Sequence, residues 1–113
     1  MRIGLDYDGT VTADPKFWLD FCLKASRRGH EIYIVTMRYE SECKDIDSRF
    51  RTLTKGVYAT GRKAKNRFML ERGISIQIWI DDNPRAVAEN ATEIWAIPAP
   101  EGSPVDPCNP NVH

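Results

Sequence analysis

Two hydrophobic periods alternate along this chain. Arg2-Ile3-Gly4-Leu5 is a short apolar run that predicts a buried strand, stopped by acids at Asp6 and Asp8. Asp14-Pro15 marks a helix start: Asp14 caps, and Pro15 loses no backbone bond at the first helical position. Phe17, Trp18, Phe21, Cys22 and Ala25 then recur at helical spacing and predict a core-facing stripe, closed by the basic turn and stop of Arg27-Arg28-Gly29. Residues 31–35 are near-continuously apolar and predict a second strand, buried on both faces and ending at Thr36.

Steps of three or four through Tyr39, Cys43, Ile46, Phe50 and Leu53 predict one helix, with Gly56 beyond it. Residues 57–60 read as a short third strand, and residues 63–72 as a basic helix stopped by Gly73. Residues 74–80 alternate by two, the clearest strand signal in the chain, and run straight into Asp81-Asp82-Asn83-Pro84. A short helix over 84–90 and a last strand at 94–97 complete the pattern. Residues 98–113 carry five prolines and predict an extended tail rather than a helix.

Strands alternating with helices predict an α/β domain over 1–97, with five mostly parallel strands and helices on both faces. At 113 residues there is room for one core and not for two.

Charge changes this picture only locally. Sixteen acids balance sixteen lysines and arginines, so net charge names no partner. Between 49 and 72, however, Arg49, Arg51, Lys55, Arg62, Lys63, Lys65, Arg67 and Arg72 face the single acid Glu71, a run that suits either a solvated face or a polyanion. Cys22, Cys43 and Cys108 stand at scattered spacing with neither a metal pattern nor a disulfide framework. Without a leader or an apolar run near eighteen residues, the expected home is a reducing cytoplasm, away from the membrane.

Candidate chemistry sits at the strand ends. Asp6 and Asp8 stand two apart, so an extended backbone sends both to one face; Gly9 allows a sharp turn, and Thr10 can bond back to it. The second strand ends in Thr36, the third leads to Lys63 and Lys65, and the fourth ends in Asp81 and Asp82. A parallel sheet brings all four ends to one edge, where ligands bind. Clustered carboxylates repel unless a cation joins them, and Mg²⁺ favours carboxylates together with phosphate oxygens. The Thr36 hydroxyl and the Met37 amide can bond phosphate oxygens while a lysine neutralises them. One carboxylate can then attack phosphorus and another carry the proton.

Asp6-Tyr7-Asp8-Gly9-Thr10, Ile34-Val35-Thr36, a downstream lysine and Trp79-Ile80-Asp81-Asp82-Asn83-Pro84 resemble the four motifs of the haloacid dehalogenase superfamily, in its phosphatase branch. The likeness spans residues 2 to 97; the first and fourth motifs are the specific ones. The resemblance implies a Rossmann-like three-layer sandwich with strand order 5-4-1-2-3 and an aspartyl-phosphate mechanism. Asp6 would be the nucleophile, and Asp8 the general acid/base that also offers its backbone carbonyl to Mg²⁺. Thr36 would bind the phosphoryl oxygens. Two lysines compete for the third motif. Lys65 has the apolar Met69 four residues on, as members usually do, whereas Lys63 meets Arg67. In the fourth motif two acids compete for the metal: Asp82 aligns better with the ligand and Asp81 with a supporting acid, and the reverse assignment stays open.

Thr10 to Asp14 leaves no room for the cap domain that many members insert, and residues 37–62 are filled by one helix and one strand. The resemblance is therefore to small cap-less members, which occur among bacterial and phage genes. An open site either takes a large phosphoester, such as a nucleotide or nucleic-acid end, or borrows a lid from a neighbouring subunit of a homo-oligomer. Arg38 and the basic run at 49–72 favour nucleotides or nucleic-acid ends. Two other classes compete with this reading. A response-regulator-type phospho-acceptor would need an acid ending the third strand, where this chain has Thr60-Gly61. A non-catalytic phosphate-binding or regulatory protein on the same fold would not need every catalytic position filled.

Overall fold

Four parallel strands build the sheet: β1 (Arg2–Leu5), β2 (Glu31–Thr36), β3 (Val57–Ala59) and β4 (Ile78–Ile80), in the order β3-β2-β1-β4. The structure, a computed structural model, describes residues 1–90. The strand expected at 94–97 and the tail at 98–113 lie outside the described residues, so the sheet has four described strands where five were expected. The order of these four agrees with a Rossmann-like arrangement, in which β1 is central and the crossovers carry helices.

The helices are α1 (Pro15–Arg27), α2 (Ser48–Leu53), α3 (Lys65–Glu71) and α4 (Arg85–Ala88). Helix α1 starts as its sequence dictates, with the Asp14 carboxylate accepting from the Phe17 amide at 3.3 Å and Pro15 in the first turn.

Strand β2 divides the core. Ile32 and Ile34 point into a cluster with Ile3, Leu5, Cys22 and Phe50, which α1 and α2 cover. Tyr33 and Val35 point the other way, onto Phe68 and Met69 of α3. None of the four is more than 7% exposed, so the near-continuous apolar run is buried on both faces. Complete burial of a side chain such as Ile34 or Phe50 is worth about 1.5–3 kcal/mol.

Two elements depart from their expected bounds and a third from its expected burial. The helix expected from Tyr39 to Leu53 is split into a single 3-10 turn at Glu40–Glu42 and α2. Local polar bonds interrupt it: the Glu42 carboxylate takes the Tyr39 amide at 2.7 Å, and the Asp47 carboxylate caps the Arg49 amide at 2.9 Å. Cys43, Ile46 and Phe50 are buried all the same. The strand expected over 74–80 narrows to Ile78–Ile80. β1 begins at Arg2, and with Ile3 registered against Ile78 the residues before Gln77 have no strand beside them. Ile74 and Ile76 instead pack on the Phe68–Met69 cluster. The aromatic stripe of α1 is only partly core, since Cys22 and Ala25 are buried while Phe17 is 56% exposed, edge-on to Trp18. Among the described residues no helix is long and apolar enough to cross a membrane.

Candidate active site

Residues following all four strands line one cleft of about 520 Å³. The β1 ladder runs one residue past the strand, where the Asp6 amide donates to the Ile80 carbonyl at 2.9 Å. The chain then turns through Gly9, at φ 86°, whose amide donates to the Thr12 hydroxyl at 2.9 Å. A Cβ at Gly9 would collide with the Asp82 carboxylate, so glycine is required for conformation and for space. Thr12, not Thr10, holds this turn. The Thr10 hydroxyl lies in the site, 3.0 Å from Asp6 Oδ2 and 3.3 Å from Asp82 Oδ1, and it accepts the Asp82 amide at 3.2 Å.

Of the two candidate lysines, Lys65 enters the cleft. It opens α3 with its side chain 2% exposed, and its Nζ donates to Asp6 Oδ1 at 2.7 Å and Asp81 Oδ2 at 2.6 Å. Lys63 precedes the helix, its carbonyl accepts from the Thr60 hydroxyl at 2.8 Å, and it does not line the cleft. Asp81 is committed at both oxygens, to Lys65 and to the Asn83 amide at 2.9 Å. Asp82 is exposed and lies across from Asp6.

Carboxylate oxygens of Asp6, Asp81 and Asp82 lie within 4.8 Å of one another. Burial, and then the approach of Asp82, push the Asp6 carboxyl up to about 7 against the lowering pull of Lys65. One lysine does not offset three crowded carboxylates. An oxygen-ligated divalent cation fits this donor set, with Asp6 and Asp82 the better-placed ligands and Asp81 held by Lys65. The Asp8 carboxylate is outside the group.

Asp8 belongs to the outer part of the cleft. Arg38 holds it with a two-pronged fork, Nε to Oδ2 at 2.8 Å and Nη2 to Oδ1 at 2.6 Å. The same guanidinium donates to the Glu42 carbonyl at 2.8 Å and to Asp45 at 2.5 Å, and lies 5.1 Å from the Tyr7 ring centre. Bonding to Asp8 raises the Arg38 pKa despite burial, and Arg38 in turn lowers that of Asp45.

Arg62 enters from the loop after β3 in a left-handed conformation, φ 72°. Its Nη1 donates to the Met37 carbonyl at 2.9 Å and to Glu42 at 2.8 Å. Thr36 is 1% exposed, and its hydroxyl accepts the Arg38 amide at 3.2 Å.

Asp6, Asp8, Thr36, Met37, Arg38, Lys65, Asp81 and Asp82 thus line one cleft, as their strand-end positions imply. Thr10, Glu42, Asp45 and Arg62 were missed as site residues. Thr10 had a local signal, since the turn returns it to the Asp6 side; the other three depend on how the loop at 37–45 folds. The basic run at 49–72 is not presented whole on the surface. Arg62 and Lys65 turn inward onto acids, Arg49 pairs with Asp47, Lys55 with Glu31, and Arg72 stacks on Phe68.

No family model, curated protein or solved structure compared with this chain matches it.

Proposed function

We propose that this protein is a Mg²⁺-dependent phosphomonoesterase of the haloacid dehalogenase type, working through an aspartyl phosphate at Asp6. The observation that carries the reading is the convergence on Asp6 of a buried lysine, two further carboxylates and the Thr36–Met37 turn, all at the carboxyl ends of parallel strands.

In this mechanism an Asp6 oxygen attacks phosphorus and the bond to the ester oxygen breaks. The departing alcohol takes a proton from Asp8. Water then attacks the aspartyl phosphate, giving its proton to Asp8 and releasing phosphate and free Asp6. Lys65 orients Asp6 and neutralises charge on it, while the Thr36 hydroxyl and the Met37 amide receive phosphoryl oxygens. Mg²⁺ held by Asp6 and Asp82 would screen the carboxylates from the incoming phosphate. Asp8 must hand a proton to the leaving alcohol in the first step, and both its oxygens are held by Arg38, so arrival of the ester must open that fork.

The fork also favours a second reading, a phosphate-binding protein without turnover, because it withholds the proton carrier. Phosphate release from a panel of nucleotides, phosphorylated oligonucleotides, sugar phosphates and a phosphopeptide, with Mg²⁺ or EDTA, separates the two. Metal-dependent release that falls by roughly 10³-fold or more in Asp6→Asn supports the enzyme. Phosphate binding without release by the folded protein supports the second reading.

A further inference from the structure

Resting on the phosphatase reading, a second question is which alcohol the phosphate is attached to. The cleft has two halves of different charge. At the inner end Asp6, Asp81 and Asp82 face Lys65, and a divalent cation there would cancel the excess and leave room for the phosphoryl dianion. The outer half is what the leaving group meets. It holds Asp8, Glu42 and Asp45 against Arg38 and Arg62, and both arginines are already engaged. Arg38 is forked on Asp8 and bonded to Asp45; Arg62 is bonded to both oxygens of Glu42, at 2.8 and 3.3 Å.

These pairs are braced from behind. Arg62 is 9% exposed, is anchored on the Met37 carbonyl and stacks 5.1 Å over Tyr39. Once the ester opens the Asp8 fork, Arg38 still holds Asp45, and opening the Arg62 pair for an additional anion would strand the part-buried Glu42 carboxylate. The cations of the basic run that reach the cleft are thus already matched by acids and do not present a surface for polyanions.

We infer that the site selects phosphate monoesters whose alcohol carries no further negative charge, either hydroxyl-rich and neutral or bearing an amine, and disfavours polyanionic leaving groups. The exposed carboxylate of Asp45, 72% accessible, is an acceptor for hydroxyl or ammonium donors on such an alcohol. This reverses the preference for nucleic-acid ends that the basic run alone suggests.

The test compares kcat/KM of the Mg²⁺-loaded protein for a hexose monophosphate, phosphoethanolamine, a nucleoside 3′,5′-bisphosphate and a 3′-phosphorylated oligonucleotide, with p-nitrophenyl phosphate, whose phenol carries no fixed charge, as the reference. The first two should exceed the polyanions, and the gap should narrow as salt rises. Asp45→Asn removes one outer charge and should raise use of the polyanions relative to the reference by roughly three- to tenfold, the size expected of a unit charge at the rim. Polyanions used as well as the hexose monophosphate, with p-nitrophenyl phosphate turned over, overturn this inference and leave the phosphatase reading standing. No turnover of any ester overturns both. An Asp45→Asn variant with the wild-type substrate ratio overturns the charge argument alone.

Discussion

The inner and outer halves of the cleft are built from the same kinds of group in different surroundings. Inside, the side chains of Lys65, Asp6 and Asp81 are 2%, 8% and 4% exposed. Outside, Arg38 is 17% exposed, while its partners Asp8 and Asp45 are 53% and 72% exposed. Distances hardly differ, since Lys65 meets its acids at 2.6–2.7 Å and Arg38 at 2.5–2.8 Å. What differs is water. A charge inside cannot be rehydrated when its partner is lost, so the inner pairs hold a fixed arrangement. Outer charges regain water on opening, so those pairs can break and re-form as substrate passes. In the proposed mechanism the nucleophile needs the first condition and the proton carrier the second.

Lys65→Met would break the inner half most severely. It leaves Asp6 and Asp81 facing each other without a cation, and destabilisation of about 3–5 kcal/mol is expected in a urea titration. Mg²⁺ should restore part of that loss, because it supplies positive charge at the same acids. A cost below about 1 kcal/mol would mean that the lysine is not buried between them.

Arg38→Ala should act in the opposite sense. Its pairs are largely exposed, so the thermal midpoint should move little, corresponding to less than about 1 kcal/mol. Turnover should still fall about tenfold or more, because the loop at 37–45 and the Asp8 carboxylate lose their common anchor. A large loss of stability with unchanged kcat/KM would erase the distinction between the halves.

The smallest effect concerns Glu42. Burial raises its carboxyl, but the Arg62 hydrogen bond and the Tyr39 amide outweigh burial and hold it below its ordinary value of 4.5. A carboxyl lowered by folding contributes stability above its unfolded pKa, and that contribution is lost as pH falls through the lower folded value. Wild type should therefore lose stability relative to Glu42→Gln as pH drops below about 4.5, and the two should run parallel from pH 6 to 8. Melting curves across that range that stay parallel throughout would show that the Arg62 pair adds nothing.

Much of the fold was legible before any coordinates. The Asp14-Pro15 start of α1, the doubly buried β2 and the strand-end positions of Asp6, Thr36 and Asp82 follow from residue type and spacing. Met69, the apolar residue four positions after Lys65, lies on the buried side of α3. Illegible features are those in which a polar side chain chose between partners. Periodicity through Tyr39, Cys43, Ile46 and Phe50 allowed a continuous helix, but Glu42, Asp45 and Asp47 took local amides and Arg38 instead. The alternation at 74–80 allowed a seven-residue strand, but only three residues had a neighbour in register.

Apolar spacing acts through burial, which is summed over many positions and tolerates error at any one, so the sequence by itself determined the alternating elements and the strand ends that carry acids. Ion pairs depend on distance and solvent access at single atoms. Only the tertiary structure therefore decided that Lys65 is clamped between Asp6 and Asp81, that Thr10 turns inward, and that Arg62 of the basic run is matched by Glu42.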